Sequence, residues 1–479
     1  MKHPPRMVAC VLLYACVAAA SAADLVEVFR LAQRSDSTYA GARATWAAAQ
    51  ERIPQARAGL LPLVSLSGSA QYTDRSIRLR DDSAPRSNSS FGAGSLGLSV
   101  TQPIYRRQDA VIYEQAFTQV EQADAQLALA AQELILRVAQ AYFDVLLAQD
   151  SVAFAEAQKT AIGQQLEQAR RNFEVGTATI TDTHEAQARF DLTTAQEIAA
   201  RNDLELRRRA LEQVIARAAP PLAPLGAQFM LKPPEPAVMD AWAGLAQRSN
   251  LQVRIAQSAL TFANQEIERN RGGHYPTLDV VATSGVNTIG AGSSGGAGND
   301  TRTSVIGLQL AVPIYSGGSV SSRVRESIAN EDRARQDLEG ARRNAEFTAR
   351  QAFLGITSGL SQVRALEAAL VSTQSQLDST RLGQEVGVRT QVDVLNAQQL
   401  LFSARRDLAS SKYTYVLSLL RLEAAIGELT ETDLVAVNQW LDPAAAGVGA
   451  AVTTTPLTST PVTGTPLPVN GKPATRVKP

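Results

Sequence analysis

Residues 174–182 read EVGTATITD and residues 385–393 read EVGVRTQVD, five of nine positions agreeing across an offset of 211. Three more pairs share nearly that offset. QPIYRRQ at 102–108 matches VPIYSGG at 312–318, LLPLVSLSGS at 60–69 matches HYPTLDVVATSG at 274–285, and AQAYFDVLL at 139–147 matches ARQAFLGIT at 349–357. A repeat of this period means that one architecture must serve twice in the same chain. The copies occupy 23–217 and 237–427. The segment between them, 218–236, holds six prolines and no long periodic run, and so reads as a linker.

Each copy has the same order. A helical stretch comes first (24–58 and 237–271), then a β-hairpin (61–102 and 275–313), then a second helical stretch of about 67 residues (106–172 and 319–385), a glycine-bearing break, and a last helical stretch (179–216 and 390–426). At 1.5 Å per residue the long helix spans roughly 100 Å, about twice the width of a globular domain of this size. The two shorter helices together match its length. The simplest packing stacks them end to end beside it, which makes each copy a rod two helices wide. Leu127, Leu134, Val138, Tyr142 and Val145 fall at coiled-coil spacings, and alanine at many other inner positions permits close approach.

The hairpins alternate. From 61 to 73, Val64, Leu66, Gly68, Ala70 and Tyr72 oppose Ser65, Ser67, Ser69, Gln71 and Thr73. The strands expected in 91–102, 278–287 and 303–312 do the same, with Val281 breaking the pattern in the third. About ten residues suffice for a tilted strand to cross a bilayer. The connections 74–90 and 288–302 are long and polar. Four strands cannot close a barrel, and no backbone edge can face lipid. Two subunits would give eight strands, filled by side chains, whereas three give twelve and leave room for a lumen. The sequence therefore predicts an oligomer with a helical tube below its strands.

The ends of the chain bear on location. Lys2 and Arg6, the apolar stretch Val8–Ala20 and Ala20-Ser21-Ala22 predict a signal peptide over 1–22. Both cysteines, Cys10 and Cys16, lie within it, so disulfide, thiolate and cysteine-metal chemistry is not expected after cleavage. Tyr14 precedes Ala15-Cys16 where lipid-attachment signals prefer a small residue, which favours ordinary cleavage over lipidation of Cys16. The segment 428–479 is expected to be largely a disordered tail; 443–479 has seven prolines. Lys plus Arg and Asp plus Glu each number 46, so no net field draws the chain to nucleic acid.

The repeated turn has a local explanation. Gly176 and Gly387 suit a helix C-cap, and Thr179-x-x-Asp182 and Thr390-x-x-Asp393 suit capping of the next helix. Two such turns per subunit would ring the end of the tube farthest from the membrane. Arg389 occurs only in the second copy, opposite Ala178, and could tie one hairpin to an acid on its neighbour. Asp393, multiplied by symmetry, would form a negative constriction.

The duplicated unit, the LLP and YPTLDV strand starts, QPIY and VPIYSGG at the strand-to-helix junctions, and the turns FEVGTATITD and VGVRTQVDVLNAQ together resemble the TolC family of outer-membrane channel-tunnels, over nearly all of residues 24–427. The resemblance implies a fold of α-helices plus membrane β-strands: a homotrimer whose 12-stranded outer-membrane barrel, four strands per subunit, continues into a periplasmic α-helical coiled-coil barrel. It implies a passive exit duct without cofactors, lodged in outer-membrane lipid. Its partners would be a periplasmic adaptor (membrane fusion protein) and an inner-membrane transporter of ABC or RND type. The family's gate links fall on Arg389, Thr181, Asp182 and Gln384, where Gln384 replaces a tyrosine. Its constriction acids fall on Asp393 and Asn396, the second now an amide. Its adaptor-contacting turns fall on Val175, Gly176, Thr177, Val386, Gly387 and Val388.

Type I protein secretion is the expected use, with small-molecule efflux the alternative; many efflux members are lipid-anchored. A non-conducting envelope spacer or adhesin would not need the strand alternation. An enzyme is not expected: His184 and His274, the histidines outside the signal peptide, sit in no ligand or nucleophile pattern.

Overall fold

A computed structural model describes residues 22–78, 80, 87–226, 228–291 and 297–442. Residues 1–21, the tips of both polar loops and the tail 443–479 lie outside the described residues, and with them the signal-peptide reading and the fate of Cys16. The first copy runs α1 (Leu25–Ser35), α2 (Ser37–Gln50), α3 (Arg52–Ala58), β1 (Leu63–Ile77), β2 (Ser87–Tyr105), α4 (Arg107–Glu174) and α5 (Ile180–Ile215). The second runs α6 (Met239–Ser249), α7 (Leu251–Arg271), a 3-10 turn at Gly272–His274, β3 (Thr277–Ile289), β4 (Asn299–Ala311), α8 (Ser319–Glu385) and α9 (Gln391–Ile426). A final helix, α10 (Glu431–Asn438), follows.

The first helical stretch of each copy is not continuous, contrary to expectation. It breaks at Asp36 and at Asn250, each preceded by Arg-Ser. The Asp36 carboxylate accepts from the Tyr39 amide at 2.7 Å, and the Asn250 side chain accepts from the Gln252 amide at 2.9 Å. Short polar side chains outcompete the helix for their own neighbouring amides and restart it as N-caps. A second break precedes α3, where Pro54 lacks an N–H and crowds Gln50.

Two further expectations are corrected. The 218–236 segment is no free tether: Leu222 and Ala223 are buried, Leu222 pairs with Ala23, and Leu225 pairs with Leu441. Its prolines remove donors without preventing apolar packing. Nor is 428–442 a disordered tail. It forms α10, whose Asn438 accepts from the Leu25 amide at 3.0 Å and donates to Asp24 at 2.8 Å, fastening α1. Leu434 and Val437 supply the apolar face that makes this possible.

The strands form one antiparallel sheet in chain order, β1-β2-β3-β4, so the two copies meet between β2 and β3. At 15, 19, 13 and 13 residues they outrun the ten expected and take up part of each polar loop. Register puts Val64, Val100, Ala282 and Ile306 in one cross-strand row, and Ser65, Ser99, Thr283 and Val305 in the next. One face is thus largely apolar and the other largely polar. Ser284 and Ser304 fall on the apolar face and bond each other at 2.9 Å, which limits their cost there. No helix covers β4: Ile306 is 78% and Leu308 72% exposed in the single subunit. A one-layer sheet with two unpaired edges and a bare apolar face needs both lipid and further strands.

Among the described residues no helix is long and apolar enough to cross a membrane. α4 packs beside α5 along one half and beside α7, α2 and α3 along the other, while α8 packs beside α9, α7 and α6. The main core lies where these helices meet α1 and α10, around the fully buried Leu134, Tyr142, Phe143, Tyr415 and Leu420. Removing each such side chain from water stabilises by about 1.5–3 kcal/mol. At the junction of sheet and rods, Arg106 makes a two-pronged ion pair with Asp279, both contacts at 2.8 Å.

Candidate functional site at the coiled-coil tips

The two glycine turns have the same geometry. Gly176 and Gly387 both lie at φ 78°, in the left-handed region where a Cβ is strained. In the first turn the Gly176 amide donates to Phe173 O at 3.0 Å and the Thr177 amide to Asn172 O at 2.8 Å. In the second, Gly387 donates to Gln384 O at 3.0 Å and Val388 to Gly383 O at 2.8 Å. Both are Schellman endings, which satisfy the last carbonyls of a helix. The next helix opens in each case with a reciprocal capping box, Thr179 with Asp182 and Thr390 with Asp393. Asp393 Oδ2 accepts from the Thr390 amide and hydroxyl, both at 2.9 Å. These bonds, then the positive field of Arg389, hold its carboxyl below the ordinary range, so it stays charged.

The copies differ beside the turn. Arg389 stands opposite Ala178, and Gly383 opposite Asn172, at the repeat offset. A Cβ on Gly383 would lie 2.8 Å from Arg389 Cγ, so the small residue makes room for the large one. The Arg389 backbone amide donates to Gly383 O at 3.0 Å, but its guanidinium has no hydrogen bond or ion pair within the subunit among the described residues, and Thr181 is exposed. The single subunit therefore does not bring Arg389 onto Thr181 or Asp182. Asp182 spends Oδ2 on its capping box, and its other oxygen accepts no hydrogen bond among the described residues.

The other proposed residues are joined within the subunit, through partners the sequence reading did not single out. Gln384 on α8 donates to Gln391 Oε1 on α9 at 3.0 Å, and Gln391 donates to Gln165 O on α4 at 2.8 Å. The amide at 384 thus ties one coiled coil to the other. Asn396 on α9 accepts from Arg189 on α5 at 2.9 Å. Gln165 and Arg189 carry no motif, and Gln391 lies in the repeated turn segment at a position where the copies differ; only the helix faces, phased on the tip glycines, would have pointed to them. Val175, Val386 and Val388 project at the tips, Val388 being 78% exposed. His184 is exposed on α5.

A sequence model of the outer membrane efflux protein family matches residues 29–217 and 242–428, the two copies almost in full. The chain belongs to the outer membrane efflux protein family. It is 36% identical to Outer membrane protein TolC of Vibrio cholerae serotype O1 (strain ATCC 39315 / El Tor Inaba N16961), over 88% of this chain and 94% of that protein. It is 32% identical to Alkaline protease secretion protein AprF of Pseudomonas aeruginosa PAO1, over 88% of each. Outer membrane efflux protein BepC of Brucella suis biovar 1 matches at 28% over 71% of this chain and 74% of that one. The crystal structure of the Campylobacter jejuni CmeC outer membrane channel superposes with a TM-score of 0.72 at 17% identity, covering 87% of this chain and 90% of that one.

The fold is thus the one read from the sequence: four strands per subunit of a trimeric outer-membrane barrel, continuous with a helical barrel. As a member of the outer membrane efflux protein family the chain is an outer-membrane exit duct of tripartite export systems, with its helical barrel in the periplasm. Such channels work with periplasmic adaptors and inner-membrane transporters. Its relatives are channels rather than enzymes.

Proposed function

We propose that this chain is the exit duct of a type I protein secretion system. It receives its cargo from an ABC-type transporter through an adaptor seated on the turns 175–177 and 386–388. The observation that carries the secretion reading is the rank of its relatives. A protein named for alkaline protease secretion matches at 32% over 88% of the chain, ahead of one named for efflux at 28% over 71%. Small-molecule efflux, with an RND-type transporter, is the second reading, favoured by the latter match.

At rest the tip is closed. Three copies of Arg389, unpaired within their own subunits, reach Thr181 and the unspent oxygen of Asp182 on the neighbouring subunit. Gln384 remakes through Gln391 the tie that a tyrosine makes elsewhere in the family. Asp393 lines the constriction with charge, and Asn396 halves the charge that two acids would bring.

Deletion of the gene separates the two uses. Loss of a secreted protein from the medium with unchanged drug susceptibility is expected. An unchanged set of secreted proteins with raised susceptibility would overturn secretion in favour of efflux.

A further inference from the structure

Arg189 lies on α5, ten residues beyond Thr179. Its guanidinium donates to Asn396 Oδ1 at 2.9 Å and to Gln399 Oε1 at 3.3 Å, two amides one turn apart on α9. It also pairs with Glu185 on its own helix at 3.2 Å. The side chain is only 25% exposed although it lies on the outside of both coiled coils' cores. Those cores, Leu166 with Ala169 and Ala186 on one side and Leu377 with Val394, Ala397 and Leu401 on the other, are apolar and separate. Two ties cross between them: the bond from Gln391 to Gln165 O and, farther from the turns, the fork of Arg189.

The repeat adds a second observation. At the offset of 211, Glu185 and Asn396 are equivalent positions, and Arg189 corresponds to Leu400. Arg189 therefore sits between an acid on its own coil and the amide that replaces the equivalent acid on the other. A carboxylate at 396 would make this a full ion pair across the seam. An amide makes a weaker tie.

We infer that Arg189 is a latch within each subunit: it holds the α8/α9 coil against the α4/α5 coil near the tip, and Asn396 sets the latch weak enough to release. Arg189 also places a positive charge beside the ring of Asp393 and is thereby a determinant of ion selectivity. The inference rests on the reading of the tips as the closed end of the duct.

The test is single-channel recording of the purified full-length protein in planar bilayers, with Arg389→Ser as a reference for the gate. Arg189→Gln is expected to raise resting leak about five-fold, the scale of one partly exposed charge-assisted hydrogen bond, and to shift the reversal potential towards cations. Arg189→Lys, which keeps the charge but loses the fork, should leak while leaving selectivity near wild type. Asn396→Asp should close the pore below the wild-type leak, and only when Arg189 is present. If Arg389→Ser leaks while Arg189→Gln matches wild type in conductance and selectivity, the latch is wrong and the gate stands. If neither substitution changes the resting pore, the gate reading falls, and the latch with it.

Discussion

The seam between the two coiled coils is made of different material at two heights. Midway along α4, Phe143 packs on Tyr413 of α9 with ring centroids 5.7 Å apart, and the Tyr413 hydroxyl donates to Asp150 at 2.7 Å. Tyr142 beside them is fully buried, its hydroxyl held by Ala223 O at 2.8 Å. Toward the tip the same pair of helices meets through Gln165 and Gln391. Two turns along α9, Gln398 is 1% exposed and its side-chain oxygen finds no hydrogen bond. Burial of aromatic rings contributes several kcal/mol, whereas polar contacts open to water contribute about 1 kcal/mol or less each. One pair of helices is thus fixed at mid-height and weakly tied at its end. That gradient is what a tube needs if its end is to move without the body coming apart.

The comparison can be broken at either height. Phe143→Ala should have the largest effect, a loss of about 3–5 kcal/mol read as a lower denaturant midpoint of the detergent-solubilised protein. A change under about 1 kcal/mol would mean that mid-height is no more fixed than the tip. Asp279→Asn removes one arm of the ion pair under the sheet, where Asp279 is 8% exposed. A loss of about 2 kcal/mol is expected in the same assay, with resting conductance unchanged because the junction is not the gate.

At the tip, Arg389→Ser should leave stability within about 0.5 kcal/mol of wild type and make the resting pore leakier. Equal conductance in bilayers would remove Arg389 from the gate. Asp150 sharpens the contrast through pH. Burial raises its carboxyl above the ordinary 3.8, with the Tyr413 hydroxyl pulling the other way. The folded state then binds the proton more readily than the unfolded one. The stability this contributes is full below 3.8 and is lost as pH rises through the folded value. Asp150→Asn keeps an acceptor for Tyr413 and removes the buried charge. The variant should be more stable than wild type at neutral pH and lose that advantage in acid, as followed by unfolding midpoints across pH. The smallest effect is expected from Asp393→Asn, a shift of the reversal potential away from cation preference with stability nearly unchanged. Cation selectivity identical to wild type would take Asp393 out of the constriction.

How much of this was legible in the sequence depended on the kind of signal. The turn and strand signals written into both copies were read correctly. Gly176 and Gly387, and Thr179 and Thr390 with their aspartates, each state one backbone rule twice. The alternation of Val64, Leu66 and their counterparts gave the sheet its two faces, and strand number with the rule against lipid-facing edges gave the class of fold.

Features that depend on what lies alongside were missed. Asp36 and Asn250 carried a capping signal, but the helical pattern on either side concealed the breaks. Leu222 and Leu434 looked like parts of a linker and a tail, because a proline-rich or short apolar segment is ordered only when a groove exists to receive it. The tip seam was the least legible. Gln165, Gln391 and Arg189 are ordinary surface residues on a helix until a second helix is placed against them. Gly383 had meaning only beside Arg389.

The clasp between Asp24 and Asn438 joins positions 414 residues apart. The first helix among the described residues is thus fastened by the last. During synthesis α1 must wait, unclasped, until α10 has been made, and removing either of these two helices would undo the same belt. Neither α1 nor α10 is dispensable to that closure.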